Sequence, residues 1–148
     1  MCGAAEQTPV MNHVLELFRR AVTHDDADAM RKGVELMFGD LDPLSEYELR
    51  SPDYVMEMPQ SGETIRGRDA MRSMQEAFPK PPTIALRRVT GSGLFWIVEG
   101  VNDYGDEVWH VVVAWELDHD GRIVRDTRYY GQKFDPPEWR RQWVELGL

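Results

Sequence analysis

The stretch YVMEMPQSGETIRGRDAMRSM, Tyr54–Met74, changes its period midway. Its first part alternates Tyr54, Met56 and Met58 with Val55 and Glu57, the two-residue repeat of a strand. Pro59 ends that run, Ser61-Gly62 supplies a turn, and ETIRG returns as a second strand, so the spacing predicts a β-hairpin. From about Arg68 to Phe78 the repeat becomes helical, with Ala70, Met71, Met74, Ala77 and Phe78 on one face, until Pro79, Pro81 and Pro82 end it.

Upstream of the hairpin the chain reads as two amphipathic helices. Thr8-Pro9 is a hydroxyl cap followed by a first-turn proline, and Val10, Val14, Leu17, Phe18 and Ala21 mark the first apolar face. Asp25 or Asp26 caps a second helix whose face is Ala27, Met30, Val34, Met37 and Phe38, ending at Gly39. The segment GDLDPLSEYELRSPD is a connector broken by Pro43 and Pro52, with room for one helical turn. Downstream, TIALRRVTG, GLFWIVEGVND, EVWHVVVAWELD and RIVRDTRYYG read as four long strands. Their turns, GSG, DYGD and DHDG, carry the Gly and Asp residues that positive φ requires. Helices interleaved with a hairpin and followed by an antiparallel meander predict an α+β fold with a sheet curled around helices.

The 148 residues and 42% hydrophobic content support one domain over 1–148 with its own core. A net charge of −9, from 17 basic and 26 acidic residues, works against phosphate backbones and anionic lipid surfaces, so neither nucleic acid nor membrane is expected as a partner. The single cysteine, Cys2, falls in an N-terminus, residues 1–8, expected to be mobile; it offers no intramolecular disulfide and no cysteine zinc site. No apolar run approaches the roughly 20 residues of a spanning helix, and no signal-peptide pattern opens the chain, so a cytoplasmic location is expected.

DYVMEMPQSGETIRGRDAMRSM, the meander ending in DHDGRIVRDTRYYG and the leading helix pair together resemble the SnoaL-like branch of the nuclear transport factor 2-like superfamily, over about residues 10–134. The resemblance implies a cone-shaped half-barrel in which a curved, mostly antiparallel sheet and its helices enclose one deep pocket. It also implies a homodimer formed through the sheets. The superfamily hosts ketosteroid isomerases, polyketide cyclases, epoxide hydrolases and members without known activity, so the fold does not settle function.

Ketosteroid isomerisation needs a carboxylate base and two donors for the enolate oxygen, a tyrosine and a neutral carboxylic acid. Matching the family's motifs puts Met58 at the base, Phe18 at the tyrosine and Val113 at the acid. None of the three can do that chemistry.

The resemblance points the Val124, Asp126, Arg128, Tyr130 face of the last strand inward. Asp126 then becomes the candidate general base, with Tyr130 or His110 as a donor partner; the competing reading is an ion pair of Asp126 with Arg128 or Arg125. His110 alternates with the apolar set Trp109, Val111, Val113, Trp115 and Leu117, so it faces outward if that set lines the cone, and no ligand spacing supports a metal. Glu57 likewise points outward if Met58 points inward. The candidate ligand-binding residues are Phe18, Tyr54, Met56, Met58, Met74, Trp96, Trp109, Val111, Val113 and Arg128, a soft apolar lining suited to a small hydrophobic molecule.

The tail, FDPPEWRRQWVELGL, spaces Trp139, Trp143 and Leu146 as a short amphipathic helix over about 136–146. Two tryptophans are costly to leave in water, so the segment is expected to cap its own pocket or to lie across a partner subunit. Two functions stay open: a non-catalytic binder of a small hydrophobic molecule, and an isomerase, cyclase or epoxide hydrolase-type enzyme using Asp126 with neither metal nor organic cofactor.

Overall fold

The computed structural model describes residues 9–40, 42–78 and 80–147. Thr8, Cys2 and the N-terminal segment 1–8 lie outside the described residues, as does Pro79. The elements run α1 (Pro9–His24), α2 (Ala27–Asp40), α3 (Pro43–Glu48), β1 (Arg50–Met58), β2 (Glu63–Arg66), α4 (Arg68–Ala77), β3 (Thr83–Ser92), β4 (Phe95–Asp103), β5 (Val108–Leu117) and β6 (Ile123–Gln132), with a closing 3-10 helix (Glu138–Trp143). The strands form one curved, unclosed sheet in the order β2-β1-β6-β5-β4-β3. All neighbours are antiparallel except β1 and β6, the second and third strands in that order, which run parallel.

Helix α1 buries Met11, Val14, Leu15, Phe18, Ala21 and Val22, a stripe at i, i+3, i+4 and i+7. That stripe is rotated from the expected one: Val10 is exposed and Leu17 half-buried. Asp26, rather than Asp25, caps α2 by accepting the Ala29 amide at 3.0 Å. Asp25 instead takes a positive φ of 53° and accepts the Gly93 amide at 2.6 Å, tying the helix pair to the β3–β4 turn. Helix α2 runs one residue past Gly39, and Ala27 is exposed. Gly33 is required where α1 and α2 cross, because a Cβ there would sit 2.7 Å from the Phe18 ring. Asp42 caps the single turn of α3, accepting the Leu44 amide and the Ser45 hydroxyl.

The core lies between α1, α2 and the sheet, where Phe18 and Phe38 pack against Trp115 at ring separations of 5.9 and 6.4 Å. Trp96 is fully buried there, with its indole N–H on the Gly93 carbonyl, while Phe95 is exposed. In α4 only Met71 is buried and Met74 partly so; Ala70, Ala77 and Phe78 are exposed because this helix stands over an open cavity rather than a filled core.

A β-bulge alters the last strand. Glu116 pairs with Arg125 but Leu117 pairs with Ile123, leaving Val124 as the extra residue. Ile123 therefore shares the buried face of Asp126, and Val124 leaves the face that strict alternation assigns it. The preceding turn is held by Asp118, whose carboxylate accepts the amides of Asp120 and Arg122.

The tail is not the expected α-helix. Residues Glu138–Trp143 form a 3-10 helix with Trp139 74% and Trp143 72% exposed, and it does not cap its own cavity. A six-residue helix that leaves both of its tryptophans exposed lacks the packing that sustains an α-helix.

Candidate functional site

A cavity of about 1070 Å³ opens between α2, α4 and the concave face of the sheet. The strands supply its wall by their alternation: Met56 and Met58 from β1, Trp109, Val111 and Val113 from β5, and Arg128 and Tyr130 from β6 all line it, as does Met74 from α4. The register makes this one surface, with Val113 opposite Arg128 and Val111 opposite Tyr130. Trp109 meets the Tyr130 ring edge-on at 6.5 Å.

Five of the sequence candidates lie elsewhere. Phe18 and Trp96 are in the solid core, behind the cavity wall. His110 is exposed on the convex face, because its inward neighbours Trp109 and Val111 fill the concave one; it is not placed beside Asp126. Glu57, also turned outward, pairs with Arg125. Tyr54 and Asp126 point inward but stop beneath the cavity floor.

Asp126 is 1% exposed, between Met56 on β1 and Trp115 on β5. Its Oδ1 accepts Arg128 Nε at 3.0 Å, and its Oδ2 accepts Arg128 Nη2 at 2.8 Å and the Tyr54 hydroxyl at 2.6 Å. Burial opposes ionisation of this carboxyl, but the charge and hydrogen bonds of Arg128 and the hydroxyl of Tyr54 outweigh it and hold Asp126 below the usual carboxylate range. Burial, then the Asp126 charge, push the Tyr54 hydroxyl up, so it remains a donor. Arg128 is buried at a cost, yet Asp126 raises its pKa and keeps it charged. Held by three donors and 1% exposed beneath the floor, this carboxylate is out of reach of a molecule in the cavity. Arg128 is different: Nε and Nη2 hold Asp126, while Nη1 has no hydrogen-bond partner among the described residues.

Three polar cavity residues, Glu46, Gln75 and Asn102, were not among the sequence candidates. Glu46, 6% exposed on α3, accepts Gln75 Nε2 at 2.7 Å and lies 3.8 Å from Arg50 Nη2. Arg50 Nη1 in turn donates to Gln75 Oε1 at 2.8 Å, and its guanidinium stacks 5.0 Å from the Tyr54 ring centroid. Burial pushes the Glu46 carboxyl above its ordinary range, against the attraction of Arg50 and Arg128. The one sequence signal for it was the i, i+4 pairing of Glu46 with Arg50 in SEYELR, inside a segment that reads as a connector. Asn102, next to the last residue of β4, is buried opposite Trp109.

Among the described residues no cluster of three or more His, Cys, Asp or Glu side chains could hold a metal, and no helix is long and apolar enough to cross a membrane.

Solved structures share this architecture. An NTF2-like protein of unknown function from Burkholderia xenovorans LB400 is 26% identical, with a TM-score of 0.66 over 95% of this chain and 97% of that one. A ketosteroid isomerase candidate from Kribbella flavida DSM 17836 is 22% identical, with a TM-score of 0.71 over 93% and 91%. An LEH-like epoxide hydrolase from M. tuberculosis is 18% identical, with a TM-score of 0.51 over 85% and 86%. No curated protein matches the sequence. The SnoaL-like domain family matches residues 14–126, from the first buried turn of α1 to the aspartate beneath the cavity, and the chain belongs to that family.

Proposed function

We propose that this protein binds a small hydrophobic molecule in the cavity, with the polar end of the ligand on the free edge of Arg128. The observation that carries the reading is the division of labour on β6: Asp126 is spent on Arg128 and Tyr54 below the floor, while Arg128 reaches the cavity surface. An apolar hollow of this size with a few convergent polar groups is the usual form of a small-molecule site. The enzyme reading, a cofactor-independent isomerase, cyclase or epoxide hydrolase-type reaction with Asp126 as base, is supported by the names of two structural neighbours. It is opposed by the engagement of both Asp126 oxygens. We further propose a homodimer, and neither nucleic acid nor membrane as a partner of so acidic a chain.

The test uses 2-acetylnaphthalene, a neutral apolar probe, titrated against the fluorescence of the cavity tryptophans Trp109 and Trp115. Saturable binding is expected, with loss of at least about tenfold in affinity in Val113→Trp, which fills the hollow. Absence of saturable binding in the native protein would overturn the proposal.

A further inference from the structure

Four charged groups stand together at the base of the cavity: Arg50 and Tyr54's neighbour Asp126 below it, Glu46 and Arg128 at its surface. Two cations face two carboxylates, so the cluster is neutral when both acids are ionised. The two carboxylates are not equivalent. Asp126 has three close donors, whereas Glu46 has one amide hydrogen bond and one cation at 3.8 Å. Glu46 is the acid that gives up its charge more easily when the balance at the cavity floor changes.

We propose that the cavity takes an apolar molecule bearing a single carboxylate, docked on Arg128, and that Glu46 takes up a proton as the ligand binds. This rests on the cavity-binding reading above and names its ligand class. With Glu46 neutral, Arg50 and Arg128 outnumber Asp126 by one positive charge, which the ligand carboxylate then cancels in a site of low dielectric. The groups facing Glu46 are Arg50 on β1, Gln75 on α4, and Arg128 and Asp126 on β6; Met37 and Phe38 of α2 add only apolar surface. Gln75 accommodates either form of Glu46, because its amide donates to Oε2 whether or not the other oxygen carries a proton. The other charged residues lining the cavity, Glu63, Glu76, Lys80, Asp106 and Glu107, are exposed and therefore screened by water and salt. Binding energy alone would not reveal this coupling, but proton uptake would.

The experiment is calorimetry at about pH 7.5 with 2-naphthoate and its neutral near-isostere 2-acetylnaphthalene, each in phosphate and in Tris, whose ionisation enthalpies differ. The expected result is net proton uptake with 2-naphthoate and none with 2-acetylnaphthalene. Glu46→Gln, a neutral isostere of the protonated form, is expected to abolish the uptake and to raise the affinity for 2-naphthoate relative to 2-acetylnaphthalene by about fivefold or more. If 2-acetylnaphthalene binds but 2-naphthoate does not, or binds without proton uptake, the inference fails and the cavity-binding reading stands. If neither probe binds, both fail. Should Glu46→Gln not fold, the native protein's proton uptake still decides.

Discussion

The Tyr54 hydroxyl donates to Asp126 Oδ2 across 2.6 Å in the dry centre of the protein, joining β1 to β6 seventy-two residues later in the chain. Tyr54→Phe removes one donor to a carboxylate that Arg128 still holds, and the ring stays packed. We expect a loss of about 1–3 kcal/mol, measured by guanidinium unfolding with an unchanged slope.

Asp126→Asn tests the ion pair directly. It leaves the largely buried Arg128 charge, whose side chain is 19% exposed, without its counter-ion, and an expected loss of about 3–5 kcal/mol follows. The double variant Asp126→Leu/Arg128→Met removes both charges and is expected to be more stable than Asp126→Asn. Equal stability of the two variants would mean that the pair is not what the site depends on.

Stability should respond to pH in two opposed ways. Asp126 has its folded pKa depressed, so its contribution is present above the unfolded carboxylate value and is lost as pH falls through the folded one. Glu46 has its folded pKa raised, so its contribution is full below the unfolded value and is lost as pH rises through the folded one. Thermal melts should therefore show Glu46→Gln gaining on the native protein as pH rises above the ordinary glutamate range.

Two glycines with similar backbone separate strain from crowding. Gly62 has φ +75° and open space where a Cβ would stand, while Gly121 has φ +85° and the Arg19 backbone nitrogen 2.8 Å away. Gly62→Ala should cost about 1 kcal/mol, and Gly121→Ala should cost at least about 1 kcal/mol more, since the turn must move off α1. Chemical unfolding of the two variants gives the difference.

The exposed tail offers a check on association. Trp139→Ser/Trp143→Ser removes two largely exposed indoles that touch little of their own chain. If a second copy covers them, sizing with light scattering should show the native protein as a dimer and the variant shifted toward monomer at micromolar concentration. A native monomer would refute the proposed homodimer.

Much of this architecture was legible in periodicity and turn chemistry. The alternation of Tyr54, Met56 and Met58, the Ser61-Gly62 turn and the four long strands ended by Gly and Asp residues depend on near neighbours in the chain, and local backbone preferences decide them. Met58, Val113 and Phe18 were assigned through the family resemblance; Met58 and Val113 line the cavity, while Phe18 lies behind its wall. Asp126 and Arg128 were recognised as residues of one face, but alternation carries no information about which oxygen is free.

What the fold alone decided depends on partners far apart in sequence. The extra residue at Val124 arises from matching β6 to β5, and it turns Ile123 into the core although strict alternation sends it out. Glu46 reads as part of a connector until Gln75 of α4 and Arg128 of β6 surround it, and only that burial shifts its proton affinity. The tail's tryptophans have helical spacing, yet no surface of their own chain receives them. Pattern along the chain specifies the elements because backbone sterics and solvent exposure are local. Protonation, hydrogen-bond satisfaction and cavity shape are set by desolvation, which exists only once the elements have closed on one another.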